Sequence, residues 1–432
     1  MKMFLLRCAV LALNIASAFI RAFSRRITGK VTLLCSQDDL PSLDIRLLAA
    51  AISNGEPVTG SPKVVVLAGR MRRSPAGALK FAGHLLRELY HIATSEVVVL
   101  EGYTVSIGAV KPGPGVTVIQ MWHAPDAIKK FSRQILDTPA GQSSRTADIL
   151  GMHRHYDYLL CPSPAAAPAF REAFGVTDDK LVYLGMPRID YLSAPSVTLA
   201  AEPQSTRDKI RKEYQLLQER PAIVYAPTFR DGRPVDLEGL LRNFDFERFT
   251  LIVKLHPLDE QNIAAPVIPG AATVIPGAAT VIPGADPGST PPGADSVIPG
   301  ADPGSTPPGA PIFDHEFTTD EWLTLAAAVI TDYSGIAVEA AAAGVPLYFY
   351  VYDIDRYMAE RGLNFDPRCE AIAPYVFTDA AALTAAIDPA TYDLTLLRTF
   401  RERMLSCPDT GNTERLADFV RTFLTQQETK IR

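Results

Sequence analysis

Two Rossmann-like α/β domains with a cleft between them, preceded by an amphipathic N-terminal helix, are what this sequence predicts. Three observations carry that expectation. Short apolar, β-rich runs alternate with helical patterns, as in parallel sheets covered on both faces. The alternation comes in two series, separated near 195–205 by Pro195, Ser196 and Pro203. The 432 residues suffice for two separate cores.

The N-terminal stretch 3–23 is mostly apolar, interrupted by Arg7, Asn14, Ser17 and Arg21 and followed by Arg25. At about 100° per residue these five fall on one side of a helix. The pattern predicts that 1–28 form a helix lying in a membrane interface, its arginines on the wet face. A secretory signal would use Lys2 and the Ala16-Ser17-Ala18 triplet, but Arg7 within the run and Arg21, Arg25 and Arg26 at its end weaken that reading. A transmembrane span would place Arg7 and Asn14 in hydrocarbon. A helix packed on the protein itself stays open.

The first domain is expected at 29–200. Strands are predicted at 30–35, 63–67, 96–100, 117–121 and 156–161, with helices at 42–53, 77–93 and 164–174. The second is expected at 201–432, with strands at 222–225, 250–254, 328–331 and 346–350 and helices at 206–218, 335–343 and 411–424. Residues 267–310 belong to neither core. They repeat VIPGAAT and then VIPGADPGSTPPGAD, and recurrent Pro and Gly preclude a lasting helix or ladder. This segment reads as a disordered insertion, tolerated because loop-closure entropy grows only logarithmically with length.

The net charge of -6 argues against a nucleic-acid binder. Five scattered cysteines without CxxC spacing argue for reduced thiols rather than a disulfide framework or zinc site. No metal-ligand spacing, P-loop or GxSxG elbow is present. Asp353 and Asp355 read as caps of a helix starting near Arg356 rather than as metal ligands.

Candidate chemistry sits at the ends of predicted strands, where α/β sheets bind ligands. His123 follows the strand at 117–121; its imidazole there can take a proton from an attacking hydroxyl, or tie down a loop. Arg230, after 222–225, can fork onto phosphate oxygens or form a salt bridge. His256, just past 250–254, can donate to a pyrophosphate. Lys254 can reach the same charge or a neighbouring carboxylate. In Thr331-Asp332-Tyr333-Ser334-Gly335 a strand ends in hydroxyls and a helix begins, offering free N–H groups to a phosphate or an ordinary cap. Glu339, one turn in, can accept from ribose hydroxyls.

In order, these motifs resemble the CDP-glycerol glycerophosphotransferase family of teichoic-acid synthesis. The resemblance rests on Glu101-Gly102-Tyr103, QMWHAPDAIKKF (120–131), CPSPAAAPAFREAFG (161–175), GMPRIDYL (185–192), YAPTFRD (225–231), VKLHPLD (253–259), ITDYSGIAVEAAAAGVPLYFYVYDIDRY (330–357) and RGLNFD (361–366). It spans about 30–425 apart from the repeat. Many members have Gly-Thr-Pro after the motif histidine, where this chain has Ala124-Pro125-Asp126. The resemblance implies a GT-B-like fold with His123 as general base. It also implies a C-terminal donor domain in which Arg230, His256, Thr331, Ser334 and Glu339 contact a CDP-polyol. The implied reaction moves a polyol phosphate, glycerol phosphate first among the candidates, onto a lipid-linked polymer hydroxyl and releases CMP. It needs no cofactor, with Mg²⁺ stimulation left open. The implied location is peripheral, on the cytoplasmic face of the cell membrane. Alternatives are a GT-B nucleotide-sugar glycosyltransferase or epimerase, and a non-catalytic membrane-bound scaffold.

Overall fold

A computed structural model describes residues 2–54, 62–70, 74–193, 202–214, 217, 219–230, 235–255, 310–407 and 409–431. The chain forms two compact units. The first comprises Met1–Ala194, Ile354–Ala371 and Arg398–Arg432; the second comprises Pro195–Asp353 and Ile372–Leu397.

The first unit is built on a wholly parallel sheet. Its strands are β1 (Lys30–Cys35), β2 (Lys63–Ala68), β3 (Val97–Leu100), β4 (Thr117–Gln120), β5 (Tyr158–Leu160) and β6 (Leu181–Val182). They lie in the order β2-β1-β3-β4-β5-β6. Runs such as Val97–Leu100 are apolar at every position because both faces are covered, and all four residues are buried. Strand order reverses between β1 and β3, so the crevice expected to bind ligands opens at their carboxyl ends.

The second unit carries β7 (Ala222–Tyr225), β8 (Thr250–Val253), β9 (Ile312–Phe313), β10 (Ala328–Thr331), β11 (Leu347–Tyr350) and β12 (Val376–Phe377). The order is β12-β11-β10-β7-β8-β9, again all parallel. Numbered within the unit, this is 3-2-1-4-5-6, the dinucleotide-fold order, with its switch point between β7 and β10. The expected 267–310 insertion lies outside the described residues except for Ala310. Its flanks are described: β8 and β9 are neighbours, with Val253 paired to Phe313.

Two expectations change. Of the 201–432 expected in the second domain, 354–371 and 398–432 group with the first unit. The reason is specific pairing. Lys129 bridges Leu363, and Ile128 O accepts from Asn364 N at 2.8 Å. Leu416, Ala417 and Val420 enter the core formed by Val31, Ile45 and Val97. The second change concerns the N-terminal helix α1 (Lys2–Phe23). Its polar stripe does not face water throughout. Asn14 Nδ2 donates to Ala109 O at 3.1 Å, Ser17 is buried, and Arg21 donates to Lys111 O. The apolar side is the exposed one: Phe4, Leu5, Leu11, Ile15, Phe19 and Phe23 are all at least 60% accessible. By length and composition α1 is able to cross a membrane.

Candidate functional site

In the first unit, His123 follows β4 by three residues. The chain reaches it through Trp122, whose φ of 68° is unusual for a residue with a side chain. The imidazole lies against the Trp122 ring, with centroids 4.0 Å apart, and Gln37 Nε2 stands 3.4 Å from its Nδ1. Trp122 is itself packed by Phe131, His153 and Phe174. Burial, then the charges of Arg188 and Lys129, push His123 down to about 4, with the Glu101 carbonyl opposing. The ring is therefore neutral at pH 7 and able to accept a proton.

Two acids nearby are shifted the other way. Burial raises Glu101, whose carboxyl accepts from Cys35 Sγ at 2.9 Å. Burial also raises Asp126, against the pull of Lys129. Arg188 is held by Asp44, through Nε at 2.6 Å and through its own main-chain N at 2.7 Å.

In the second unit, β7 and β10 end side by side, and their strand-end motifs meet. Asp332 accepts from Thr228 N at 2.9 Å, Thr228 Oγ1 at 2.7 Å, Tyr333 N at 2.5 Å and Arg230 Nη2 at 2.6 Å. Arg230 also donates Nε to Asp353 at 3.0 Å and Nη1 to Thr228 O at 2.8 Å. Tyr333 OH donates to Asp353 as well. Burial alone would lower Arg230, but Asp332 and Asp353 outweigh it and the net shift is upward. Arg230 thus bridges Asp332 and Asp353. Of the two courses open to Arg230, the structure shows the salt bridge, and Asp332, expected among the substrate-binding residues, is its partner.

Two more expected ligands are engaged within the protein. Thr331 Oγ1 donates to Ala226 O at 2.7 Å. Lys254 Nζ donates to Asp314 Oδ2 at 2.8 Å and to Asp314 O and Phe317 O at 2.7 Å, which is the neighbouring-carboxylate alternative. Ser334 and Gly335 are half-buried at the start of the helix Ile336–Ala342, and Glu339 is buried one turn along it. His256 lies outside the described residues. Asp353 faces Arg230 rather than acting only as a cap, while the Asp355 side chain is almost fully exposed. Among the described residues no group of three or more His, Cys, Asp or Glu is placed to hold a metal.

Asp44, Arg188, Asp314 and Asp353 all shape these sites without having been singled out for that role. Asp44 lies 144 positions from Arg188, and Asp314 lies 60 from Lys254, so no local pattern links them.

The sequence matches the family described as CDP-glycerol:poly(glycerophosphate) glycerophosphotransferase over 19–272 and 313–422. The unmatched interval between these blocks falls largely on the repeat. The chain is 25% identical to a teichoic acid ribitol-phosphate primase of Bacillus spizizenii, over 84% of this chain and 85% of that protein. It is 24% identical to a teichoic acid glycerol-phosphate primase of Bacillus subtilis, over 79% and 77%. In fold it is similar to a variant of the wall teichoic acid polymerase TagF soaked with CDPG, with TM-score 0.63, 16% identity and coverage of 99% of this chain and 98% of that one.

Proposed function

Because this chain belongs to the CDP-glycerol:poly(glycerophosphate) glycerophosphotransferase family, we propose that it transfers a polyol phosphate from a CDP-polyol to a hydroxyl of a lipid-linked teichoic-acid-type polymer, releasing CMP. The observation that supports this most directly is placement. The His123 motif lies at the carboxyl edge of one parallel sheet, and the YAPTFRD and TDYSG motifs meet at the switch point of the other.

In this reading the acceptor hydroxyl gives its proton to the neutral His123 imidazole as its oxygen attacks the β-phosphorus. A new P–O bond forms, the bond from that phosphorus to the bridging oxygen breaks, and CMP departs with that oxygen. Ser334, the Gly335 main chain and Glu339 remain the donor-binding candidates. His256 keeps its proposed role at the pyrophosphate. Arg230, Asp332 and Thr331 act as the frame holding the β7 and β10 loops in register. Stabilising charge on the transferring phosphoryl group is the main catalytic requirement.

Glycerol phosphate is the first candidate for the transferred unit. The relatives divide between ribitol and glycerol at nearly equal identity, so an assay decides. A peripheral place on the cytoplasmic membrane surface fits α1. One side of that helix is tied to its own unit through Asn14 and Arg21, leaving Phe4, Leu11, Ile15 and Phe19 for lipid.

The test is CMP release from CDP-glycerol and CDP-ribitol separately, with a lipid-linked acceptor in detergent, with and without Mg²⁺. Acceptor-dependent release that collapses in His123→Ala supports the reading and names the polyol. No release, together with no CDP-polyol binding by calorimetry, rejects it in favour of a nucleotide-sugar enzyme or a scaffold.

A further inference from the structure

Trp122 carries His123 through a left-handed turn, and something must hold that turn. A side-chain-bearing residue at positive φ costs about 1 kcal/mol or more, and persists where its surroundings over-determine it. Here the surroundings converge on one side chain. Gln120, the last residue of β4, is fully buried. Its Oε1 accepts from Trp122 N at 2.9 Å, closing the turn. Its Nε2 donates to Gly102 O at 3.1 Å, on the loop that follows β3.

The loop at Gly102 bears on the same ring. A Cβ there would meet Ser36 Oγ at 2.7 Å and Gln37 Nε2 at 2.8 Å, so the loop after β1 presses directly on it. That Gln37 amide is the group facing His123 Nδ1. Behind the turn, the Tyr156 hydroxyl meets His153 Nδ1 at 3.0 Å, and His153 packs edge-on to Trp122. One amide therefore joins the loop after β4 to the loop after β3, and the loop after β1 packs on the latter at Gly102.

We propose that Gln120 is the positioning residue of His123: its carboxamide locks the left-handed Trp122 turn to the Gly102 loop and so sets where the imidazole stands. The proposal rests on the transferase reading for its consequence, since a displaced base loses rate. It does not rest on that reading for its geometry. A methionine at 120 has comparable length but neither accepts from Trp122 nor donates to Gly102. A glutamate accepts from Trp122 but, ionised, does not donate to Gly102.

The experiment uses the full chain with ¹⁵N-labelled histidine. The His123 ring signal is identified by its loss in His123→Ala and is titrated in wild type, Gln120→Met and Gln120→Glu. The same proteins are assayed for acceptor-dependent CMP release. In Gln120→Met the ring is expected to titrate closer to an ordinary histidine, as it leaves its half-buried place against Trp122. With it, kcat is expected to fall about 10- to 100-fold while KM for the CDP-polyol stays within about twofold. Gln120→Glu, which keeps one bond, should fall between the two and supplies the comparison if the methionine variant does not fold. A folded variant whose His123 signal titrates as in wild type overturns the proposal, even if activity drops. Activity surviving in His123→Ala would instead remove the base assignment while leaving the ring titration to report on Gln120.

Discussion

Replacing Lys254 by methionine separates a structural lysine from a phosphate ligand. Its ammonium makes three bonds inside the second unit, and its side chain is only 12% exposed while that of Asp314 is fully buried. Asp314 also accepts from Tyr214 OH and Trp322 Nε1, both at 2.7 Å. Removing the amine leaves a buried carboxylate without its cation and two carbonyls without their donor. Breaking one side of a buried pair costs about 3–5 kcal/mol. With a urea slope of about 2 kcal/mol per M, the unfolding midpoint should fall by about 2 M. The protein provides its own reporter, because it has two tryptophans and Trp322 sits in this cluster. In a Trp122→Phe background, fluorescence follows the second unit alone, avoiding a single transition forced on a two-unit chain. An unchanged midpoint, with CDP-polyol binding lost, would refute the structural assignment and restore Lys254 as a ligand.

Four further outcomes are expected. Burial pushes His153 down to about 3, so the unfolded chain binds more protons than the folded one between there and the ordinary histidine value of 6.5. The His153 contribution to the stability of the first unit is full above pH 6.5 and declines as pH falls, by about 2 kcal/mol at pH 5, with the raised Glu101 and Asp126 carboxyls acting in the opposite direction. It is read as the difference in urea midpoints between proteins with and without His153, from Trp122 in a Trp322→Phe background. Lys129→Gln removes one of the charges that depress His123, so the ring pKa rises and the acid limb of kcat/KM moves to higher pH, by no more than about one unit. Asn364→Ala loses an amide pair with Gln134 and a bond to Lys129 O, and should cost about 1–2 kcal/mol in the Trp122 transition while leaving the Trp322 transition unmoved. Leu11→Glu, in the middle of the exposed face of α1, should reduce sedimentation with phosphatidylglycerol vesicles several-fold without changing either transition.

What could be read from the sequence, and what could not, divides along the range of the interactions. β1, β7 and β10 keep their expected bounds, because burial on both faces leaves a signal in nearly consecutive apolar residues. The two-residue strands β6, β9 and β12 leave too short a run to register. Periodicity also identified which residues of α1 share a side, but not which side meets the protein. Asn14 turns inward because Ala109 O is there to accept from it, 95 positions away. The strand-end rule draws attention to polar residues at one edge of each sheet, and several of these have partners within the protein. A polar residue at a strand end has two ways to be satisfied, by a ligand or by the neighbouring loop, and both leave the same residue type in the same place. Arg230 and Lys254 took the second course because Asp332, Asp353 and Asp314 come from loops that only the folded sheet brings alongside. Gln120 is the converse case. As the last residue of an apolar strand it offered no chemistry of its own, yet it bonds the two main-chain segments on either side of His123. His123 stands out by type and position; the residues packed around it are defined by their partners.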